Sequence, residues 1–289
     1  MDPRLNLDAV NALPVILPEY EEISLFLVGC GGTGSWLAPS VIRIARLLRE
    51  LHQKVSVTFV DFDHVEPGNI PRQNFTDADL GLNKAEVLSL RYGLAWGIEV
   101  KAVPRSFEPN LLGHGFRHLT IILGCVDRAS ARQSIAKLFP RYCPGYGNGQ
   151  YRWWLDCGNA ETSGQVLLGC CSNKSDLVQG IIYPSSGSKK ATRPIFVGAL
   201  PAPHIQHPEL LEERVDEKHS QLRSCREITL ENAQSLVINQ RVATEAAALL
   251  NDLLLVRQLK IFAAYFDLKA HSANARYITP TNILSYFPD

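Results

Sequence analysis

No charge of either sign predominates in this sequence. Lys plus Arg and Asp plus Glu stand at 29 each, and the sequence pI is about 7.1. Without a net field there is nothing general to draw the chain to nucleic acid or to an anionic membrane, so neither is expected as a partner, and any phosphate binding has to be local. Long apolar runs are also missing: none approaches the ~18 residues of a membrane-crossing helix. The first residues, MDPRLNLDAVNALPVILPEYEE, hold acids and prolines where a secretory leader has a basic start and an apolar run. A cytoplasmic protein is expected. The seven cysteines, at 30, 125, 143, 157, 170, 171 and 225, are odd in number and contain no C-x-x-C pair. That spacing excludes a disulfide framework and the usual four-cysteine zinc site, so no structural zinc is expected.

What the chain does have is hydrophobic content of 46%, enough for a sizeable core near the upper size of one α/β domain. A short apolar run at 23–28 and further strands at 55–61, 99–103 and 119–125 alternate with helices at 35–51, 84–96 and 130–139, followed by strands at 153–156 and 165–168. This predicts a doubly wound, mostly parallel α/β sheet of the Rossmann-like type. Between 176 and 217, Pro184, Pro194, Pro201, Pro203 and Pro208 surround the polar tract SSGSKK, which reads as a long crossing loop too rich in proline for regular structure. Helical spacing returns at 230–255, and 260–268 with 276–279 predict a closing antiparallel strand pair. One domain over 1–289 is expected, with a core over 23–175, a crossing loop over 176–226 and a C-terminal helix and strands over 227–289.

Gly29, Gly31, Gly32 and Gly34, in GCGGTG, lie between the first strand and the first helix. Glycines there let backbone approach a phosphate, and the helix N-terminus offers unpaired N–H groups and the positive end of a dipole. The plain alternative is a tight turn without ligand. Asp61 ends the second strand, where a carboxylate can accept from ribose hydroxyls or sit solvated at a strand end. Beyond it, DFDHVEPGNIPRQ brings Asp63, Asn69, Arg72 and Gln73, and Lys84 opens the next helix. Taken singly, Arg72 and Lys84 read as surface charges; together they can clamp a triphosphate and hold charge on departing pyrophosphate. Asn69 and Gln73 can bind phosphate oxygens or orient Arg72.

The runs FLVGCGGTGSWLAPSVIRIARLL, VTFVDFDHVEPGNIPRQNF and GLNKAEVL resemble the ThiF/MoeB/HesA superfamily of enzymes that activate ubiquitin-like proteins, with its GxGGxG, DxDxVxxxNxxRQ and G-x-x-K patterns. The likeness runs through most of the chain. It implies ATP-dependent adenylation of a C-terminal carboxylate, with Asp61 on the ribose, Asp63 beside it, and Asn69, Arg72, Gln73 and Lys84 at or behind the phosphates. It also implies that Asp127, in Cys125-Val126-Asp127, holds Mg2+. A carboxylate at the C-terminal edge of a parallel sheet faces the crevice that the glycine turn faces, which suits that role. The family's Asn after this Asp is here Arg128, which leaves the following helix less well capped. A finer resemblance is to the ThiF-like component of PRTRC-type systems, through LPEY, GCGGTGS, WLDCGNAETSGQVLLG and INQRVAT. It implies a small ubiquitin-like protein, a conjugating-enzyme-like protein and a metal-dependent deubiquitinase-like protease as neighbours. The family is usually homodimeric with an arginine contributed in trans; the N-terminal stretch offers Arg4 in no recognisable helix motif.

Cys30, Cys125 and Cys157 fall in or beside apolar strands and read as packing residues, while Cys170 and Cys171 are ambiguous. Cys225, between Arg223 and Arg226, sits where guanidinium groups would stabilise a thiolate. It is the expected acceptor for a thioester, against the plain reading of a cysteine at a helix start. The resemblance agrees, since SCREITLENAQSLVINQRVATEAAALL looks like the family's S-C-A-E segment leading to Glu245-Ala246. Three other readings stay open. An NAD(P)-dependent oxidoreductase would leave Arg72, Lys84 and Asp127 without work. A relative could adenylate another carboxylate, such as a modified nucleoside or a peptide end. A non-catalytic ThiF-like subunit would only position another protein.

Overall fold

The computed structural model describes residues 7–113, 115–140, 150–184, 193–213 and 237–287. The expected acceptor Cys225 lies outside them, as does the start of the helix predicted from 230. After a short helix α1 (Leu7–Asn11), the chain enters β1 (Glu22–Val28), α2 (Gly32–Glu50), β2 (Lys54–Val60), α3 (Lys84–Trp96), β3 (Val100–Val103), β4 (His118–Gly124), α4 (Ala129–Ala136), β5 (Gln150–Asn159) and β6 (Ser163–Gly169). Then come α5 (Lys174–Gln179), a small pair β7 (Ile181–Ile182) and β8 (Phe196–Val197), α6 (Pro203–Gln206), α7 (Ile238–Asn251), β9 (Ile261–Asp267), β10 (Ser272–Tyr277) and α8 (Pro280–Leu284).

Among the described residues, eight strands form one sheet in the order β10-β9-β6-β5-β4-β1-β2-β3. The five strands from β3 to β5 are parallel, and β6, β9 and β10 are added antiparallel. The central parallel strands β1, β2 and β4 are largely buried on both faces, which is why they read as mainly apolar runs. On α2 the stripe Leu37, Val41, Ile44, Ala45 and Leu48 is buried against the sheet. Each large aliphatic side chain buried this way is worth about 1.5–3 kcal/mol. No helix among the described residues is long and apolar enough to cross a membrane.

One expectation needs correction. The proline-rich crossing segment is not devoid of regular structure: α5, the β7/β8 pair, α6 and a 3-10 turn at Pro208–Leu211 lie in its described parts. Pro203 and Pro208 each open a helical turn, where the missing N–H costs nothing and the fixed φ is already helical.

Candidate nucleotide-binding site

Strand β1 runs into its turn beside β2 and β4, the two strands it pairs with, so the glycines emerge where the strand order reverses. Gly29 takes φ +88°, and a Cβ there would stand 2.5 Å from the Cys125 carbonyl oxygen. Gly34 packs so closely on the same turn that a Cβ would lie 1.9 Å from the Gly29 oxygen. Gly31 differs. The nearest atoms to a Cβ there are the Gln73 amide, Nε2 at 3.9 Å and Oε1 at 4.0 Å, leaving a small open cradle at the start of α2.

Gln73 is 7% exposed, and its Oε1 has no hydrogen-bond partner among the described residues. A buried amide with an unmatched oxygen beside an open backbone cradle, at the positive end of a 19-residue helix, can serve a bound anionic group once its NH2 faces that group. Turned about its last torsion, the same amide presents its NH2 to that point.

Asp61 holds the turn from below. Its Oδ2 accepts from the Cys30 backbone N–H at 2.6 Å and its Oδ1 from that of Asp63 at 2.8 Å. Each oxygen keeps a second acceptor direction for a ligand hydroxyl. Burial pushes the Asp61 carboxyl up, opposed by those two N–H groups and by the Lys84 ammonium. Lys84 is itself buried, its Nζ 3.6 Å from Asp63 Oδ2. Asn83, which the sequence reading passed over, fixes both partners: its Nδ2 donates to the carbonyls of Asp61 and Asp63, and its Oδ1 caps α3 by accepting from Ala85 and Glu86. Its position directly before a helix start was the available signal.

The Arg72–Gln73 loop is positioned by two further residues that were not singled out. Pro39, inside α2, cannot donate to the Ser35 carbonyl; Asn74 Nδ2 does so instead at 3.4 Å, and the Asn74 backbone N–H donates to Ser35 Oγ at 2.9 Å. Asn239, on α7, is 1% exposed. Its Nδ2 donates to the Arg72 carbonyl at 3.4 Å, and its Oδ1 accepts from Asn159 at 2.6 Å and from the Thr33 hydroxyl at 3.4 Å. Asn69 acts inside the loop, taking the Glu66 N–H on its side chain and those of Arg72 and Gln73 on its carbonyl.

Across the crevice, β4 ends at Gly124, and Asp127, in the connection from β4 to α4, is exposed. Arg128 lies over the Phe62 ring at 5.7 Å and gives α4 no side-chain cap, as its identity predicted. Arg132, in the first turn of α4, donates to the Asp127 carbonyl at 3.2 Å and pairs with the fully buried Asp156 at 3.1 Å. Among the described residues no group of three His, Cys, Asp or Glu could hold a metal by itself. Mg2+ is ordinarily held by one or two carboxylates together with substrate phosphates, so a single Asp127 fits that mode and no other. Cys30 and Cys157 are buried packing residues, as expected, with burial raising the Cys30 thiol and both the neighbouring Cys125 and burial raising Cys157.

A doubly wound, mostly parallel sheet with a glycine turn leading into α2 and a buried lysine nearby defines an α/β protein of the Rossmann-like type. The sequence pattern of the ThiF family matches residues 17–169, and the chain belongs to that family. Its fold is also similar to that of E. coli MccB solved with ATP, at TM-score 0.52 and 12% identity over 89% of this chain and 64% of that one. MccB with AMPCPP and MccA gives TM-score 0.52, 12% identity, and 90% and 65% coverage. PaaA covers 89% and 64% at 15% identity and TM-score 0.47. The chain thus spans less than two thirds of the length of these structures. No curated protein sequence matches it.

Proposed function

We propose that this ThiF-family chain binds ATP at the Gly31 cradle and adenylates the C-terminal carboxylate of a small ubiquitin-like protein. The observation that carries the reading is the buried Gln73 amide, its oxygen unmatched, facing an open glycine cradle beside buried Lys84. MccB structures that hold ATP or AMPCPP share the fold and support a nucleotide in this crevice.

In this reading Asp61 accepts from ribose hydroxyls, and the N–H groups opening α2 with Gln73 hold phosphate oxygens. Lys84 and Arg72 neutralise the negative charge that grows on the leaving pyrophosphate, an electrostatic role that needs no movement of protons. The attacking carboxylate needs no general base, being ionised at neutral pH. Asp127 would hold Mg2+, which supplies charge neutralisation at the phosphates. Cys225 would accept the acyl group as a thioester, and a conjugating-enzyme-like protein would take it on; a homodimer would be the working unit.

Calorimetry with ATP and Mg2+ tests the nucleotide step, and a non-reducing gel with a candidate ubiquitin-like protein tests the rest. Wild type should bind ATP, Lys84→Ala should bind it at least about tenfold more weakly, and a thiol-sensitive adduct should form and vanish in Cys225→Ala. ATP binding unaffected by Lys84→Ala would sink the site, and an adduct persisting in Cys225→Ala would sink the choice of cysteine.

A further inference from the structure

On the far side of the sheet from β3, where β9 and β10 meet α6 and α8, there is a polar cavity of about 560 Å3. Gln206, 5% exposed, lines it. Its Nε2 is committed to the carbonyls of Leu168 at 3.0 Å and Pro201 at 2.7 Å, so its amide cannot turn over without losing both bonds. Its Oε1 is therefore fixed as an acceptor, and among the described residues it has no donor. The Tyr286 hydroxyl, in the same wall, is enclosed and equally without a partner among them. Arg276 also lines the cavity, its guanidinium 4.9 Å from the Tyr286 ring centre.

Two enclosed polar oxygens left unmatched beside a guanidinium are costly in an empty protein and are relieved by a ligand of matching polarity. Arg276 and the Tyr286 hydroxyl can both donate to an anion, and Gln206 Oε1 requires an N–H. Asp8 on the same wall repels any anion, and a dianion such as phosphate more strongly than a single carboxylate held by Arg276. The Tyr265 hydroxyl is already engaged, 2.8 Å from His207 Nε2, and does not compete for the ligand's charge.

We propose that this cavity binds a carboxylate with an amide N–H beside it, the chemistry of an acylated amino acid or of an acidic residue within a peptide. The inference is independent of the nucleotide reading. It is tested on the whole chain by ligand-observed NMR and calorimetry with N-acetylglycine and with a doubly blocked tripeptide carrying a central glutamate, its glutamine twin serving as control. Saturable binding of either acid, weakened about tenfold in Arg276→Gln and diminished in the shape-preserving Tyr286→Phe, supports the site. Which acid binds identifies the source as a small molecule or a peptide. Absence of saturable binding by both, equal binding of the glutamine twin, or binding undiminished in Arg276→Gln in a protein with wild-type thermal unfolding overturns it.

Discussion

At the scale of single residues, the glycines of the turn do different work, and substitution separates them. A methyl group at Gly34 would overlap the Gly29 carbonyl, a backbone atom with nowhere to move. Gly34→Ala should cost at least about 3 kcal/mol or prevent folding. At Gly31 a methyl meets open space and then the Gln73 amide at 3.9 Å, so it fits the fold while filling the cradle. Gly31→Ala is therefore expected to unfold within about 1 kcal/mol of wild type yet bind ATP at least about tenfold more weakly. Chemical denaturation beside calorimetry checks the pair; a Gly31→Ala protein with intact ATP affinity would mean that the cradle holds no phosphate.

At the scale of elements, the nucleotide turn is braced from the opposite end of the chain. Asn239 carries α7 onto the turn, and a Cβ at Gly32 would lie 2.7 Å from its Oδ1, so turn and helix are fitted to one another. Asn239→Ala leaves the Asn159 amide and the Thr33 hydroxyl without that acceptor and releases one hold on the Arg72 carbonyl. It should cost about 1–3 kcal/mol of stability. Because the freed groups border the cradle, ATP affinity should fall in a protein that is still folded at 25 °C, and Asn239→Asp, which keeps the Oδ1 acceptor, should recover part of it. Thermal unfolding with nucleotide titration reads both; stability lost with affinity unchanged would reduce Asn239 to packing. This bracing is also where legibility in sequence ended. The helix over 84–96 was read to the residue; in the structure Asn83 caps it and Gly97 closes it in a left-handed conformation. The turn glycines, Asp61 and Lys84 were legible because local spacing alone puts them at strand and helix ends. Asn239 contacts Gly32 and Thr33 across some two hundred positions of chain, and no local pattern encodes such a contact. The crossing segment was misread for a related reason: prolines were taken as breakers where Pro203 and Pro208 in fact start helical turns.

At the scale of the whole molecule, α6 ties the described end of the crossing segment to the sheet, and that tie is sensitive to acid. His204 stacks on Trp154 of β5 with ring centres 5.9 Å apart, and its Nε2 lies 3.3 Å from Ser172 Oγ. Trp154 is fully buried, so a charged imidazole on its face would lie in a poorly solvated place. Burial accordingly lowers the His204 pKa from 6.5 to about 4. The sign follows from linkage. The unfolded chain takes up this proton near pH 6.5 and the folded chain only near pH 4, so the unfolded state binds more protons between those values. The stability contributed by neutral His204 is complete above pH 6.5, declines as pH falls, and is gone below about pH 4. His204 keeps part of its surface in water, which reduces the loss to roughly 1–2 kcal/mol rather than the full linkage value. His204→Gln, which retains a polar side chain and cannot take up a proton, should flatten the denaturation free energy between pH 6.5 and pH 4 relative to wild type. Urea unfolding at half-unit pH steps measures the difference, and equal slopes in the two proteins would show that the contact between α6 and Trp154 is not what acid releases.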